Sequence, residues 1–125
     1  MLLFVYGSLR KDLWNHFFLK TSQYIGKYKT VNKHILYIDG NIPYLSTKEK
    51  RYHIKGELYD VSEETLKEID LLEDEGKWYI RKKILIINEE GDMVEAQSYY
   101  NDNIKNEKPL YTDDYNELYS LYKIL

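Results

Sequence analysis

The chain has no cysteine. That excludes a disulfide framework, a thiolate nucleophile and cysteine-ligated zinc, and it fits a reducing compartment. The histidines, His16, His34 and His53, lie far apart and lack the spacing of a metal-ligand set. Asp70, Glu73, Asp74 and Glu75 cluster, but the Asp-x-Asp-x-Asp-Gly loop of a calcium site is missing. No apolar run approaches the ~18 residues that cross a bilayer. The N-terminal apolar run stops at Tyr6 without the layout of a signal peptide. No dense Lys/Arg block marks a nucleic-acid partner. Neither repeats nor a linker divide the chain. The expectation is one cytoplasmic domain over residues 1–125, with no metal, no membrane contact and no nucleic acid. Nothing in the sequence specifies an oligomeric state.

What is present is an ordinary globular balance, with 43% hydrophobic and 31% charged residues. A chain of 125 residues can bury one sizeable core. The net charge of −3 is uneven, because residues 88–125 carry nine acids against three bases. The mildly basic remainder suits a small anionic substrate. Fourteen tyrosines are an unusual number, and not each needs a function.

The opening stretch, Leu2-Leu3-Phe4-Val5-Tyr6-Gly7-Ser8-Leu9-Arg10, reads as a buried strand cut off by a turn. Gly7 has no Cβ, so its backbone and that of Ser8 can approach a ligand closely. A strand that ends in such a loop can form an oxyanion pocket, or simply a tight turn. Ser8 lacks the Gly-x-Ser-x-Gly setting of an activated nucleophile.

Further along, residues 11–20 carry apolar residues at helical spacing and predict a short helix. Residues 28–37 read as β-prone, closed by the turn dipeptide Asp39-Gly40. Pro43 makes residues 41–45 extended or irregular, and residues 46–51 an exposed loop. Residues 53–61 predict a strand whose Gly56 marks a bulge or a close approach. Ser62 is the N-cap of a helix over residues 63–73, stopped near Gly76. Residues 79–88 and 93–100 predict a hairpin. Residues 101–108 are polar and loose. Thr112 caps a last helix over residues 113–124, with Tyr115, Leu118, Tyr119, Tyr122 and Leu125 on one face. The pattern is α+β, with a largely antiparallel sheet that curls towards a barrel.

The helix over residues 63–73 holds an anomaly. At about 100° per residue, Leu66, Ile69, Asp70 and Glu73 share one face. Leu66 and Ile69 must face the core, so Glu73 is aimed inwards with them. A carboxylate against apolar surface has its pKa raised, which suits a general acid/base near neutral pH. Alternatively, Glu73 emerges into water at the helix end. Asp70 can pair with Arg81 or Lys82. Tyr79 and Arg81, two apart on a strand, can bind a substrate carboxylate or close the sheet edge.

These residues together resemble the γ-glutamylcyclotransferase-like family. The resemblance rests on Phe4 to Arg10 with Asn15-His16 shortly after, on Gly56-Glu57-Leu58-Tyr59, and on Ile69-Asp70-Leu71-Leu72-Glu73 followed by Tyr79-Ile80-Arg81. It covers residue 2 to about residue 100. It implies a small mixed, largely antiparallel β-barrel with flanking helices. It also implies an enzyme, needing no cofactor, that cyclises the γ-glutamyl group of a small-molecule amine or amino-acid conjugate to 5-oxoproline. The family's general acid/base maps onto Glu73 and its substrate loop onto Tyr6, Gly7, Ser8 and Leu9. Tyr79 and Arg81 join them as substrate-binding candidates. Residues 41–45 are similar to a segment of the γ-glutamylamine cyclotransferase branch, which acts on γ-glutamyl-ε-lysine. The family usually has Glu-Gly directly, whereas Asp74-Glu75 intervene here before Gly76. Glu75 turns about 200° from Glu73 around the helix, so the face shared with Leu66 and Ile69 selects Glu73. The alternative is a non-catalytic small-molecule binding module on the same fold.

Overall fold

Strand β1 (Leu2–Val5) is apolar at every position because both of its faces are covered. Phe4, and Tyr6 just beyond the strand, point into one core cluster with Tyr28, Leu58, Ile84, Ile86 and Ala96. Leu3 and Val5 alternate to the opposite side and pack with Leu9, Tyr59, Leu66 and Ile69. The computed structural model describes residues 1–39, 42–76, 78–103, 105 and 107–124; for residues 39 and 120–124 it describes the backbone alone.

The elements that follow are β2 (Gln23–Thr30), β3 (Ile35–Asp39), β4 (Ile42–Ser46), β5 (Lys55–Asp60), α1 (Glu63–Leu72), β6 (Ile80–Ile87), β7 (Met93–Tyr100), β8 (Lys108–Leu110) and α2 (Tyr115–Ile124). The sheet order is β1-β5-β2-β6-β7-β4-β3-β8, and β1 also pairs with β7. That last pairing is parallel, through Leu3 and Gln97, and it closes β1, β5, β2, β6 and β7 into a five-stranded mixed barrel. Strands β4, β3 and β8 extend the sheet beyond β7. Among the described residues, no helix is long and apolar enough to cross a membrane.

Gly56 marks a close approach, and the approaching atoms belong to β1. A Cβ there would lie 2.3 Å from the Val5 carbonyl oxygen and 2.7 Å from the Phe4 ring. Only glycine lets β5 pass so near.

Several local expectations change. Residues 11–20 do not form a single helix. The chain runs through four-residue turns, closed by Arg10 to Gly7, Leu13 to Arg10 and His16 to Leu13, before one turn of 3-10 helix at His16–Leu19. Asp12 sits at φ +71°, which no α-helix accommodates. The β-prone region splits into β2 and β3, since Thr30 turns out of the first ladder to hold Ile54 and Asn32. Residues 42–46 form a regular strand despite Pro43, which pairs with Ile38. Gly40 and Asn41, part of the expected turn, lie outside the described residues. Ser46, expected in an exposed loop, is buried at the strand end. The loose segment ends in β8, which pairs with β3, a partner remote in sequence. Helix α2 is capped by Asp114, not Thr112: its Oδ1 accepts the N–H groups of Asn116 and Glu117. Thr112 instead supports Asp114. The side chains of Tyr122 and Leu125 lie outside the described residues.

Candidate active site

The end of β1, the end of α1 and the start of β4 converge on a cavity of about 170 Å³. Its floor is the loop Tyr6-Gly7-Ser8-Leu9. Tyr6 anchors the loop from below: its hydroxyl donates to the Tyr99 carbonyl at 2.6 Å and accepts the Leu45 N–H at 3.1 Å. Gly7 lies against Pro43, whose Cγ would be 2.7 Å from any Cβ at this position. The Gly7 carbonyl accepts the Arg10 N–H at 2.9 Å and closes the turn. The amides of Gly7, Ser8 and Leu9 have no acceptor among the described residues. A loop with spare N–H groups lining a cavity can receive an anion or a developing oxyanion.

Asn15 fixes Ser8 by donating its side-chain amide to Ser8 Oγ at 2.9 Å. His16 is close in sequence, but its Nδ1 bonds the Leu9 carbonyl at 2.9 Å. That ring braces the loop and does not serve Ser8 as a base. His53 bonds the Thr30 carbonyl, and His34 packs edge-on to Tyr100.

Glu73 enters from the opposite wall. Ser62 caps α1 by accepting the Thr65 N–H at 3.1 Å, and the helix ends at Leu72 with Glu73 as its C-cap. The stop is Asp74, at φ +51°, a conformation that Asp tolerates better than most residues. Gly76 follows with its own left-handed turn. Leu66 and Ile69 are buried, so the face they define carries Glu73 inwards, and Leu72 and Glu73 both line the cavity. Burial raises the Glu73 carboxyl to about 7. No donor bonds its carboxylate among the described residues. Glu75 is exposed, lies away from the cavity and reaches the Arg81 N–H at 3.4 Å.

The phenols around Glu73 stay protonated. Tyr6, Tyr79 and Tyr99 are all held well above the ordinary phenol value, chiefly by burial, for Tyr99 next by its hydrogen bond to the Asp70 carboxylate, and in part by the nearby Glu73 charge. Tyr79 forms a cavity wall, and its hydroxyl donates to the Pro43 carbonyl at 2.8 Å.

Arg81 stands elsewhere. Its guanidinium makes a two-pronged pair with Asp70 at 3.0 and 3.3 Å, and Tyr99 donates to the same carboxylate at 2.6 Å. Asp70 and Arg81 thus tie α1 to β6 and β7 beside the cavity. Of the residues singled out in the sequence, Tyr6, Gly7, Ser8, Leu9, Glu73 and Tyr79 meet in one cavity, and Arg81 does not line it.

Other lining residues were not identified as such from the sequence: Trp14, Ile42, Pro43, Leu72, Trp78 and Tyr99. Trp14 carried a signal, an aromatic in a short segment just after the loop, but its helical spacing pointed to no site. The Gly56-Glu57-x-Tyr59 motif acts underneath. Glu57, buried, receives Arg10 Nε at 3.1 Å, the Lys11 N–H at 2.9 Å and the Tyr59 hydroxyl at 2.9 Å. Arg10, only 6% exposed, reaches on to Asp114 at 2.7 Å. This network clamps the far end of the loop to β5 and α2.

Comparison with known proteins gives a consistent result. The family described as "Gamma-glutamyl cyclotransferase, AIG2-like" matches residues 3–117. A provisionally named gamma-glutamylcyclotransferase of Methanocaldococcus jannaschii is 50% identical over 99 residues, 78% of this chain and 82% of that protein. Gamma-glutamylaminecyclotransferase B of Danio rerio is 34% identical over 110 residues, 78% of this chain and 58% of that protein. The crystal structure of a mouse AIG2-like protein superimposes with a TM-score of 0.76 at 29% identity, over 84% of this chain and 79% of that one.

Proposed function

We propose, starting from the fact that this chain belongs to the gamma-glutamyl cyclotransferase, AIG2-like family, that it converts a γ-glutamyl amine or γ-glutamyl amino acid to 5-oxoproline and a free amine. The observation that carries the reading is that the Glu73 carboxylate and the Gly7-Ser8 loop open into the same cavity. Each alone is ordinary; together they are a base facing an oxyanion pocket.

The chemistry follows from the substrate. The α-nitrogen of a γ-glutamyl group reaches its own γ-carbonyl, so the enzyme has to hold a near-attack shape. At neutral pH the nitrogen is an ammonium and cannot attack. Glu73, raised to about 7, is well matched to take its proton. The freed nitrogen attacks the γ-carbonyl carbon, and the oxygen gains a negative charge that loop amides stabilise. That attack forms the lactam C–N bond; collapse restores the carbonyl and breaks the original amide C–N bond. Two protons travel from the α-nitrogen to the departing nitrogen, with Glu73 as the relay. The neutral phenols of Tyr6, Tyr79 and Tyr99 surround the relay without competing for the proton.

The test is a panel of γ-glutamyl amides and amino acids, with 5-oxoproline and amine release measured together. Turnover by the wild type and its loss in a folded Glu73→Gln variant support the reading. No product from any member, with the fold intact, overturns it.

A further inference from the structure

The cavity mouth carries an arrangement that the proton relay does not use. Trp14 and Trp78, from segments remote in sequence, both line it and remain 39% and 46% exposed. Each indole is backed by a tyrosine. Trp14 lies 5.4 Å from the Tyr119 ring of α2, and Trp78 meets Tyr44 of β4 edge-on at 5.8 Å. Ile42 and Leu72 complete the rim, and both are exposed large apolar side chains. Among the described lining residues, Glu73 carries the one formal charge, and it is committed to the proton relay.

An exposed tryptophan held in place by a ring behind it is a preformed apolar surface, available at little ordering cost. A leaving group bearing a carboxylate would lose hydration at such a rim, with no cation among its described lining residues to compensate. An uncharged apolar group would lose nothing and gain burial. We propose that Trp14 and Trp78 form the leaving-amine subsite, and that the preferred substrates are γ-glutamyl amides of uncharged aryl-alkyl or alkyl amines. This rests on the cyclotransferase reading of the same cavity. It also gives α2 a function, with Tyr119 as the positioning residue that sets the Trp14 indole.

The experiment compares three conjugates in the wild-type protein: γ-glutamyl-phenethylamide, γ-glutamyl-ethanolamide and γ-glutamyl-glycine. The expected order of kcat/KM is phenethylamide first, by about tenfold or more over each of the others, the size of discrimination that an apolar pocket provides. Trp14→Ala, Trp78→Ala and the milder Trp78→Leu should each narrow the phenethylamide-to-ethanolamide ratio, mainly through KM. Tyr119→Leu should narrow it as Trp14→Ala does, and in a Trp14→Ala background it should add nothing. Turnover of all three conjugates at similar kcat/KM, or variants that lower every substrate alike, overturns the subsite while leaving the cyclotransferase standing. No turnover of any conjugate by folded wild type overturns both. The wild-type panel alone decides the matter should a tryptophan variant not fold.

Discussion

Asn15 holds Ser8 at two points: its side-chain amide donates to Ser8 Oγ at 2.9 Å, and its backbone N–H donates to the Ser8 carbonyl at 3.0 Å. The pair fixes both the loop backbone and the hydroxyl. Because Oγ accepts from Asn15, its own proton is left to point elsewhere, and Ser8 lines the cavity. Replacing Asn15 by alanine should let the loop relax while Glu73 stays in place. The expected result is a fall in kcat of up to about a hundredfold from misplacement alone, with little change in melting temperature. Steady-state kinetics beside a thermal melt decides it, and an unchanged kcat would show that Asn15 does not set the catalytic position of the loop.

The raised Glu73 carboxyl has a consequence for stability. Its folded value is about 7 against an ordinary value of 4.5. Between those values the folded state holds more protons than the unfolded one, so stability falls as pH rises from about 4.5 to 7. Above 7 the full cost of holding the charge in this partly buried site is present. Glu73→Gln should therefore be more stable than wild type at pH 8, by on the order of 1–3 kcal/mol, and the advantage should vanish near pH 4. Urea titrations at the two pH values measure this; equal stabilities at pH 8 would show that the carboxylate is well solvated.

The same ionisation should govern rate. If the carboxylate form of Glu73 accepts the ammonium proton, kcat/KM rises with pH and levels off above about 7. The acid limb belongs to the free enzyme and should appear for every substrate that turns over. A limb centred near 4.5 would mean that Glu73 is not the group, or that it is not buried when it works.

Glu57 supports the loop from beneath, through Arg10, Lys11 and Tyr59. Glu57→Ala would strand the Arg10 guanidinium with Asp114 as its remaining carboxylate partner and leave the Tyr59 hydroxyl unpaired. Breaking one side of a buried ion pair costs about 3–5 kcal/mol. Chemical denaturation should show a loss of that order, and a loss below about 1 kcal/mol would mean that water readily takes the place of the carboxylate.

Arg81 and Asp70 make a weaker structural pair, each about a quarter exposed. Arg81→Gln should lower stability by about 1 kcal/mol and change KM for a γ-glutamyl substrate by less than about twofold. A large rise in KM with stability unchanged would return Arg81 to the substrate.

Much of this was legible because the signals were local. The β1 run, the Ser62 cap, the helical face that joins Leu66, Ile69 and Glu73, and the β6–β7 hairpin each follow from periodicity or turn chemistry over a few residues. Helix geometry selected Glu73 over Glu75, but in the structure the helix ends at Leu72 and the turn at Asp74 carries Glu75 away. Elements whose stability comes from remote partners were not legible. β8 is three residues long and exists because β3 offers it a ladder. Residues 11–20 have helical spacing, but the loop pulls them into turns through Asn15 and His16. Asp114 displaced Thr112 as the cap because the same carboxylate also receives Arg10.

The sequence by itself determined that Glu73 shares the helix face of Leu66 and Ile69 and that a Gly-Ser loop ends β1, since one helix period and one strand end fix these. The tertiary structure alone decided that the two open into one cavity, because closing the barrel through β1 and β7 sets the distance between chain segments that share no local signal. It also decided that Arg81 spends its charge on Asp70, and that Trp14 and Trp78 line the same cavity. Such pairings depend on which strands become neighbours, and local periodicity carries no record of that.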